Sequence, residues 1–262
     1  MATVVQLSDI HFGGENTAAV EAAVAFVQAE PPDLTLITGD ITLNGLPREF
    51  AAAQAWLARL PKPWLCTPGN HDTPYWNLPL RVLTPFSRYR RYIGVEDGEY
   101  FSAAGLAVQT INTARGGQPR LDWSKGAVNL EACEGAVERL AASETGALRL
   151  VACHHPLIEA VGAPVTGGVH RGDEAARLLA EGGVDAILTG HVHNPFAVAM
   201  AAGDGLTYAI GAGTLSLRVR GTPPGFNRLR ATAETLQVEA MGWTGSAYEP
   251  YRTWALPRRA RR

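Results

Sequence analysis

Short apolar runs alternate with helical segments near the start of the chain, and this alternation constrains the fold more than any other feature. Residues 3–7, 34–38 and 64–67 are apolar runs typical of buried strands. The segments between them, 16–30 and 47–60, carry apolar side chains at the spacing of one helical face. Strands that alternate with helices favour a sheet with parallel strands and crossover helices packed against it.

The rest of the chain continues the alternation and then changes to strands alone. Further strands are predicted at 100–103, 106–111, 148–153 and 186–189, and helices at 130–142 and 174–180. Beyond His193 only strands are predicted, at 196–200, 206–210, 215–219, 227–231 and 236–241. The chain has 262 residues, with no internal repeat and no low-complexity linker. We therefore expect a single α/β domain over residues 1–262.

Composition excludes several classes of protein. Apolar residues make up 46% of the chain and charged residues 18%, as in globular rather than disordered proteins. No apolar run is long enough for a transmembrane helix, and the first residues lack the basic and apolar parts of a signal peptide. Three scattered cysteines, Cys66, Cys133 and Cys153, indicate free thiols in a reducing compartment. We expect a cytoplasmic protein, and a homo-oligomer is compatible with the sequence.

Charge narrows the choice of partners. Lys and Arg number 23 and Asp and Glu 25, a net charge of −2. Four arginines lie in the last five residues, and without them 19 basic residues face 25 acidic ones, a net charge of −6. A body this acidic lacks the basic face of proteins that bind duplex nucleic acid, so no such partner is expected. We expect the basic tail, 257–262, to be a frayed, solvated terminus.

Most of the histidines follow predicted strands, together with acidic or amide side chains. The clusters in chain order are Asp9 with His11, Gly39-Asp40, Asn70-His71-Asp72, His154-His155, and His191 with His193. In open α/β sheets, ligands bind just beyond the carboxyl ends of the strands, where all five clusters fall. Side chains two residues apart in an extended chain point the same way, so two of these clusters can each offer two ligands to one place.

The residue types in these clusters are those of a metal site. Asp, Asn and His supply oxygen and nitrogen ligands without a thiolate, a set that suits Mn, Fe, Co or Zn. Each cluster alone has an ordinary structural explanation, because Asn and Asp favour turns. Turn chemistry does not explain five clusters in succession, each at the end of a strand. The sequence therefore predicts a metal centre.

The motifs resemble those of the calcineurin-like metallophosphoesterases. The matching set is Asp9-x-His11, Gly39-Asp40, Gly69-Asn70-His71-Asp72, His154-His155-Pro156 and Gly190-His191-x-His193. The stretch 39–47, taken with His154-His155-Pro156, is most similar to the branch that hydrolyses cyclic nucleotides and glycerophosphodiesters. The resemblance implies a four-layer α/β/β/α sandwich with two packed mixed β-sheets.

The resemblance also implies the role of each residue at two divalent or mixed-valence metal ions. One ion would be held by Asp9, His11 and His193, the other by Asn70, His154 and His191, and Asp40 would bridge both. His154 is preferred over His155 because the family's ligand lies two residues before the proline, here Pro156. His155 would then pack behind the ligands. His71 would donate a proton near the leaving group, and Asp72 could orient it.

The implied reaction is attack of a metal-bound hydroxide on phosphorus with expulsion of an alkoxide. Two cations about 3.5–4 Å apart hold a hydroxide and a phosphate together and lower the pKa of bound water. A poor leaving group needs a proton, and general acid help of the kind assigned to His71 is typically worth about 10²–10⁴ in rate.

Three departures from other branches favour a small phosphodiester as substrate. The chain has Leu43-Asn44-Gly45 and Asp72 where protein serine/threonine phosphatases carry Asp-Arg-Gly and a motif ending in Glu. Leu43 also stands where purple acid phosphatases have a metal-binding tyrosine. Only 69 residues follow His193, and they are strand-like, whereas recombination-type nucleases append a DNA-binding region there.

Other functions stay open as alternatives. A phosphomonoesterase would use the same metal site. A lipid-linked pyrophosphatase or a nuclease would need an apolar or basic groove beside the metals. A non-enzymatic scaffold is disfavoured because no motif residue is missing.

Three further residues are candidates for substrate contacts. Asn44 lies near the bridging Asp40 and could hydrogen-bond a phosphate oxygen or shape the turn. Arg115 follows a strand and could pair with phosphate or form a surface ion pair. His170 lies in a glycine-rich loop and could line the pocket or remain solvated. The Tyr- and Arg-rich segment 75–92 could cap the site or pack as an ordinary surface helix.

Overall fold

Twelve strands form two six-stranded mixed sheets in a computed structural model that describes residues 1–103, 105–119, 122–159 and 168–260. The first sheet contains β1 (Ala2–Leu7), β2 (Leu34–Thr38), β3 (Trp64–Thr67), β10 (Gly225–Ala231), β11 (Thr235–Trp243) and β12 (Tyr248–Pro257), in the order β12-β11-β10-β1-β2-β3. The second contains β4 (Tyr100–Ala103), β5 (Leu106–Thr110), β6 (Leu148–Ala152), β7 (Ala186–Thr189), β8 (Phe196–Ala199) and β9 (Tyr208–Gly211), in the order β4-β5-β6-β7-β9-β8. Strands β1–β3 are mutually parallel, as are β5, β6, β7 and β9.

Helices cover the outer faces of both sheets. Their bounds are α1 (Thr17–Ala29), α2 (Pro47–Leu57), α3 (Leu78–Leu83), α4 (Ser87–Tyr92), α5 (Leu130–Ala141) and α6 (Gly172–Glu181). The side chain of Asn16 caps α1 by accepting from the amide of Ala19, and Pro47 lies in the first turn of α2. The helical spacing of apolar residues in the sequence predicted α1, α2, α5 and α6 to within a few residues at each end.

Three apolar clusters hold the layers together. The central one lies between the sheets and combines residues such as Leu36 of β2 with Val108 of β5 and Leu150 of β6. A second joins the first sheet to α1 and α2, and a third joins the second sheet to α5 and α6. Each buried aliphatic side chain contributes roughly 1.5–3 kcal/mol. The architecture is the four-layer α/β/β/α sandwich with two mixed sheets that the motifs implied.

Two features of the β-rich end differ from the sequence-based expectation. Residues 215–219 form a loop rather than a strand, because their backbone and side chains bond to the loop after β1, as in Leu217 N–H to Gly14 O at 3.0 Å. Strand β12 was not predicted at all. It is a ten-residue edge strand that is mostly exposed, so it lacks the apolar pattern of a buried strand.

The basic tail is more ordered than expected over the residues that the structure describes. Arg259 donates from Nε and Nη2 to the two carboxylate oxygens of Asp204, at 2.6 and 2.7 Å. Arg258 donates from Nη2 to the carbonyl of Gly146 at 2.9 Å. The expectation of a frayed end was therefore wrong for Arg258 and Arg259, while residues 261–262 lie outside the described range. The helices described here include none with the length and apolar character of a membrane span.

Candidate metal centre

The predicted ligands lie in loops at the carboxyl ends of parallel strands from both sheets. Asp9 and His11 follow β1, Asp40 follows β2, Asn70 begins a 3-10 turn after β3, His154 follows β6, and His191 and His193 follow β7. The packing of the two sheets brings these loops together, as the distances below establish. The strands end at these loops because the apolar residues of each strand give way to polar side chains and to glycines that turn the backbone.

The backbone of these loops is strained where the ligands lie. Six non-glycine residues of the described chain have positive φ, and five are predicted ligands: Asp9 (52°), His11 (52°), Asp40 (50°), His191 (67°) and His193 (54°). Such conformations are unfavourable for residues with a Cβ and persist where the surroundings fix them, often at functional sites. A Cβ on Gly190 would lie 1.9 Å from Ser8 Oγ and 2.4 Å from Asp9 Oδ2, so this close approach requires glycine.

Asp9, His11 and His193 form one group of facing ligand atoms. Asp9 Oδ2 accepts from Ser8 Oγ at 2.6 Å and from the amide of His191 at 2.9 Å. Its other oxygen, Oδ1, faces Nε2 of His193 at 3.0 Å and Nε2 of His11 at 3.7 Å. The two imidazole Nε2 atoms lie 3.3 Å apart.

Asp40 lies between this group and His154. Its Oδ1 accepts from the amide of His71 at 2.8 Å, which leaves Oδ2 free to face the imidazoles. Oδ2 lies 3.2 Å from Nε2 of His154 and 3.8 Å from Nε2 of His11. One carboxylate oxygen thus faces ligands from both predicted ion sites, which is the arrangement expected of a bridging aspartate.

The hydrogen-bond pattern fits cations at the centre of these groups. Nδ1 of His154 donates to the carbonyl of Thr38 at 2.8 Å, and Nδ1 of His193 donates to the carbonyl of Arg218 at 2.7 Å. When these two rings are neutral, Nε2 is therefore a lone-pair acceptor, aimed at a carboxylate oxygen or another imidazole. Histidine ligands of metals typically anchor their second nitrogen in this way. Acceptors that face each other in a buried site need either a metal ion or a proton between them.

Asn70 and His191 complete the predicted second set. Oδ1 of Asn70 is buried without a hydrogen-bond partner, as expected of an amide oxygen that ligates a metal. The ring of His191 lies 5.2 Å, between centroids, from that of His154. His154, His155 and His191 offer nitrogen atoms within 4.8 Å of one another, and so do the ligand atoms of Asp9, Asp40 and His154.

His155 belongs to the packing around the ligands. Its Nε2 donates to the carbonyl of Ser124 at 2.9 Å, so Nδ1 accepts from the hydroxyl of Thr113 at 2.8 Å. Both ring nitrogens are occupied, whereas His154 keeps Nε2 for the centre. This geometry supports the choice of His154 over His155 as ligand.

Electrostatics divides the imidazoles into two kinds. Burial lowers the pKa of His11 to about 3, and burial together with the charge of His154 lowers the pKa of His191 to about 4. Burial alone would also lower the pKa of His154, but the charge and hydrogen bond of Asp40 raise it to about 9. Asp9 acts in the same way against burial and raises the pKa of His193. The contact between His154 and Asp40 therefore favours a proton on His154 when no metal is bound.

The carboxylates show the reciprocal effect. Burial would raise the pKa of Asp9, but the charge and hydrogen bond of His193 hold it below its ordinary value. Burial is likewise outweighed at Asp40, where the charges of His154 and His71 hold the pKa well below normal. Both groups are thus anionic at neutral pH, as metal ligands must be.

His71 lies beside the groups that face Asp40, but Asp72 does not contact its ring. Nδ1 of His71 donates to the carbonyl of Leu43 at 2.6 Å, and Nε2 accepts from Nη1 of Arg218 at 3.1 Å. Asp72 instead accepts from the amides of Gly69 (2.8 Å), Thr42 (2.8 Å) and Ile41 (3.2 Å) and from the hydroxyl of Thr42 (2.9 Å). It therefore ties the Asp40 loop to the Asn70 loop and acts on His71 through the backbone.

A groove of about 530 Å³ opens from Asn70 and His71. Its walls combine apolar, aromatic and charged side chains: Tyr75, Leu78, Arg81, Asp122, Trp123, Ser124 and Arg218. The guanidinium of Arg81 lies over the rings of both Tyr75 (6.0 Å) and Trp123 (5.7 Å) and donates to the carbonyl of Gly116. The segment 75–92 therefore divides: its first part lines the groove, while Tyr89 and Phe86 pack into the core.

The three predicted substrate contacts do not line this groove. The side-chain amide of Asn44 donates to Glu49, which caps α2, so it shapes the turn. Arg115 donates to the carbonyls of Asn112 and Ala114. His170 is exposed and pairs through its backbone with Gly126 and Val128.

Arg218 and Trp123 were not predicted as site residues. Arg218 was hidden in the segment expected to be a strand, although the turn-forming run Gly221-Thr222-Pro223-Pro224-Gly225 that follows argues against an uninterrupted strand there. Nothing in the sequence around Trp123 indicates a site, because only the tertiary fold brings this residue to the groove that Tyr75 also lines.

The chain belongs to the calcineurin-like phosphoesterases, because the model of that family matches residues 2–195. This family, together with the clusters of Asp and His side chains described above, defines a metal-binding phosphoric ester hydrolase. A protein of Synechococcus named "probable cyclic nucleotide phosphodiesterase" is 24% identical over 220 residues, which cover 80% of this chain and 78% of that protein.

Solved structures share the fold at low sequence identity. PhoD superposes with a TM-score of 0.73 at 12% identity, over 98% of this chain and 70% of that one. The purple acid phosphatase PPD1 of yellow lupin (Lupinus luteus) gives 0.67 at 17% identity, over 98% of this chain but 54% of the plant protein. GAP50 of Plasmodium, described as the anchor in the inner membrane complex, gives 0.66 at 14% identity, over 99% of this chain and 90% of that one.

Proposed function

We propose that residues 1–262 form one domain that hydrolyses small phosphodiesters, of the cyclic-nucleotide or glycerophosphodiester type, at a dinuclear metal centre. The observation that carries the proposal is the position of Asp40 Oδ2, which faces both His11 and His154. The name of the Synechococcus relative supports the substrate class. The acceptor set of Asp, Asn and His suits Mn, Fe, Zn or Co.

Each ligand has one role in this proposal. Asp9, His11 and His193 hold the first ion, Asn70, His154 and His191 hold the second, and Asp40 belongs to both. When bound, the two cations supply charge neutralisation of the phosphate and a hydroxide nucleophile near neutral pH. The chain's own contribution is to hold five loops rigidly enough that these ligands converge.

His71 serves the leaving group. Its Nδ1–H is fixed by the carbonyl of Leu43, which aims Nε2 toward the groove. Once Nε2 has been released from Arg218 and has taken a proton from solvent, that proton can pass to the departing alkoxide oxygen as the phosphorus–oxygen bond breaks, leaving an alcohol in the groove. Asp72 holds the backbone on either side of this ring through its bonds to Thr42 and Gly69.

A lipid-linked pyrophosphate is the second candidate substrate. The groove carries the arginines Arg81 and Arg218 beside the apolar Leu78, and Leu78 is 56% exposed. A mixed cationic and apolar wall of this kind is compatible with an anionic headgroup attached to an apolar tail. The comparison of substrate classes below separates the two candidates.

The test uses metal-free protein reloaded with Mn²⁺. Rates are compared for bis(p-nitrophenyl) phosphate, p-nitrophenyl phosphate and an alkyl pyrophosphate. A clear preference for the diester supports the proposal, whereas a preference for the monoester or the pyrophosphate overturns the proposed substrate class.

The His71→Ala variant tests the leaving-group role. We expect it to keep its manganese and lose about 10²–10⁴ in rate on a diester with an alkyl leaving group. The loss should be much smaller with an aryl leaving group, which departs without a proton. Equal losses on both substrates would remove His71 from this role.

A further inference from the structure

The loop that follows β9 is tied to the first metal-binding loop. The hydroxyl of Thr214 donates to the carbonyl of Asp9 at 2.7 Å and therefore accepts from the hydroxyl of Ser216 at 2.7 Å. Ser216 Oγ in turn accepts from the amide of Arg218 at 3.1 Å. These bonds fix the backbone of Arg218 relative to Asp9.

Arg218 connects two parts of the site. Its carbonyl accepts from Nδ1 of His193 at 2.7 Å and so orients one predicted metal ligand. Its guanidinium extends in the other direction to the groove, where Nη1 lies 3.1 Å from Nε2 of His71. One residue thus reaches both the metal-binding side and the leaving-group side of the centre.

The contact between Arg218 and His71 uses one of the five N–H donors of the guanidinium and leaves the others available. Arginine has five N–H donors and no acceptor, so Nε2 of His71 must accept one of them. Within the described ranges, no carboxylate lies within 4 Å of the Arg218 guanidinium, whereas Arg59, Arg228 and Arg259 each have such a partner. Arg218 is exposed at the groove, where its remaining donors face the space a substrate would enter.

Arg220 adds to the positive charge at this point. Burial and then the charge of Arg218 lower its pKa, while the charge of Asp9 raises it, so Arg220 lies within electrostatic range of both Arg218 and Asp9. Two cations on one loop, one of them exposed and without a carboxylate partner, suit an anion as the ligand.

We propose that Arg218 binds a non-bridging oxygen of the substrate's phosphoryl group. In the free protein its guanidinium donates to His71, and when substrate arrives that donor transfers to the phosphoryl oxygen. Nε2 of His71 is then released and faces the leaving-group oxygen. This inference rests on the proposed function for the identity of the anion, but its geometry depends only on the site described above.

The binding test uses inorganic phosphate and Mn²⁺-loaded protein in a titration calorimeter. Arg218→Gln, which loses the charge and the guanidinium but keeps a polar side chain, should weaken phosphate binding about 10- to 100-fold at unchanged manganese content. Arg218→Lys should recover part of the affinity. Arg59→Gln, which removes an exposed arginine paired with Glu21 on α1, is the matched control and should bind phosphate as the unaltered chain does.

The kinetic test separates phosphoryl contact from an effect through His71. Arg218→Gln should lower kcat/KM by similar factors for aryl and alkyl diesters, because the phosphoryl oxygen is common to both. A loss confined to alkyl substrates would show that Arg218 acts only on His71 and would overturn the proposal.

Further outcomes of these experiments decide between the phosphoryl contact and the proposed function. Normal phosphate affinity in Arg218→Gln, or loss of manganese in both Arg218 variants, would overturn the phosphoryl contact. If the unaltered chain binds phosphate and the variant does not, but no phosphoester is hydrolysed, the Arg218 inference stands and the proposed function fails.

Discussion

A proton should stand in for a metal ion between His154 and Asp40 in the metal-free protein. Nε2 of His154 lies 3.2 Å from Asp40 Oδ2, and Nδ1 donates to the carbonyl of Thr38. Burial opposes the charged ring, but Asp40 raises the pKa of His154 to about 9. We therefore expect His154 to be protonated at pH 7 without metal and neutral once its Nε2 ligates a cation.

The expected loss of metal affinity at pH 7 follows from the difference between pH 7 and the pKa of His154. Because the folded-state pKa is raised, the ring holds its proton below about pH 9, and a metal must displace that proton. Two pH units correspond to about 2.7 kcal/mol, or about a hundredfold in apparent affinity. Metal affinity should thus rise about tenfold per pH unit up to about pH 9 from this group. His193, whose pKa is also raised, adds to the slope.

Ring ¹⁵N NMR of metal-free and Zn²⁺-loaded protein provides the assay. His154 should titrate near pH 9 in the metal-free protein, while His191 stays neutral down to about pH 4 and serves as an internal control. Zn²⁺ should convert His154 to a neutral ring with the proton on Nδ1. A His154 ring that is already neutral at pH 7 in the metal-free protein would refute the electrostatic argument.

Two substitutions test the loops that hold the ligands. Asp72→Ala should lower the free energy of unfolding by about 3–5 kcal/mol in urea titrations, because three buried backbone amides lose their acceptor; a loss below about 1 kcal/mol would contradict this role. Gly190→Ala should reduce metal content sharply, because the added Cβ would meet Ser8 Oγ and Asp9 Oδ2, whereas Gly135→Ala, with open space around its Cβ in α5, should keep its metal. Equal metal content in the two glycine variants would count against the close packing of the β1 and β7 loops.

The sequence was sufficient to predict which polar side chains meet at one edge of the sheets, because each of them follows a buried strand closely. The position of His154 after β6, for example, is set by four apolar residues of that strand whose register is fixed by burial. The parallel arrangement of β1, β2 and β3 then brings Asp9, Asp40 and Asn70 to one edge. For these residues, a position directly after a strand in the sequence is enough to predict that their side chains meet in the fold.

The features that the sequence did not predict depend on contacts between segments that are distant along the chain. Arg218 reaches His71 across 147 positions of sequence, and its loop is held by bonds to Asp9 that no local pattern encodes. Asp72 is adjacent to His71 in sequence, yet its carboxylate turns toward the amides of the Asp40 loop, which local spacing does not predict. Strand β12 is exposed, so the hydrophobic periodicity that identified other strands is weak there.

Crystals of the Mn²⁺-loaded protein, examined by anomalous scattering at the manganese edge, test the central claim most directly. The account predicts two peaks about 3.5–4 Å apart. The carboxylate of Asp40 should lie between them, with His11 and His193 on one ion and His154 and His191 on the other. A single peak, or two peaks that do not share Asp40, would contradict the dinuclear centre.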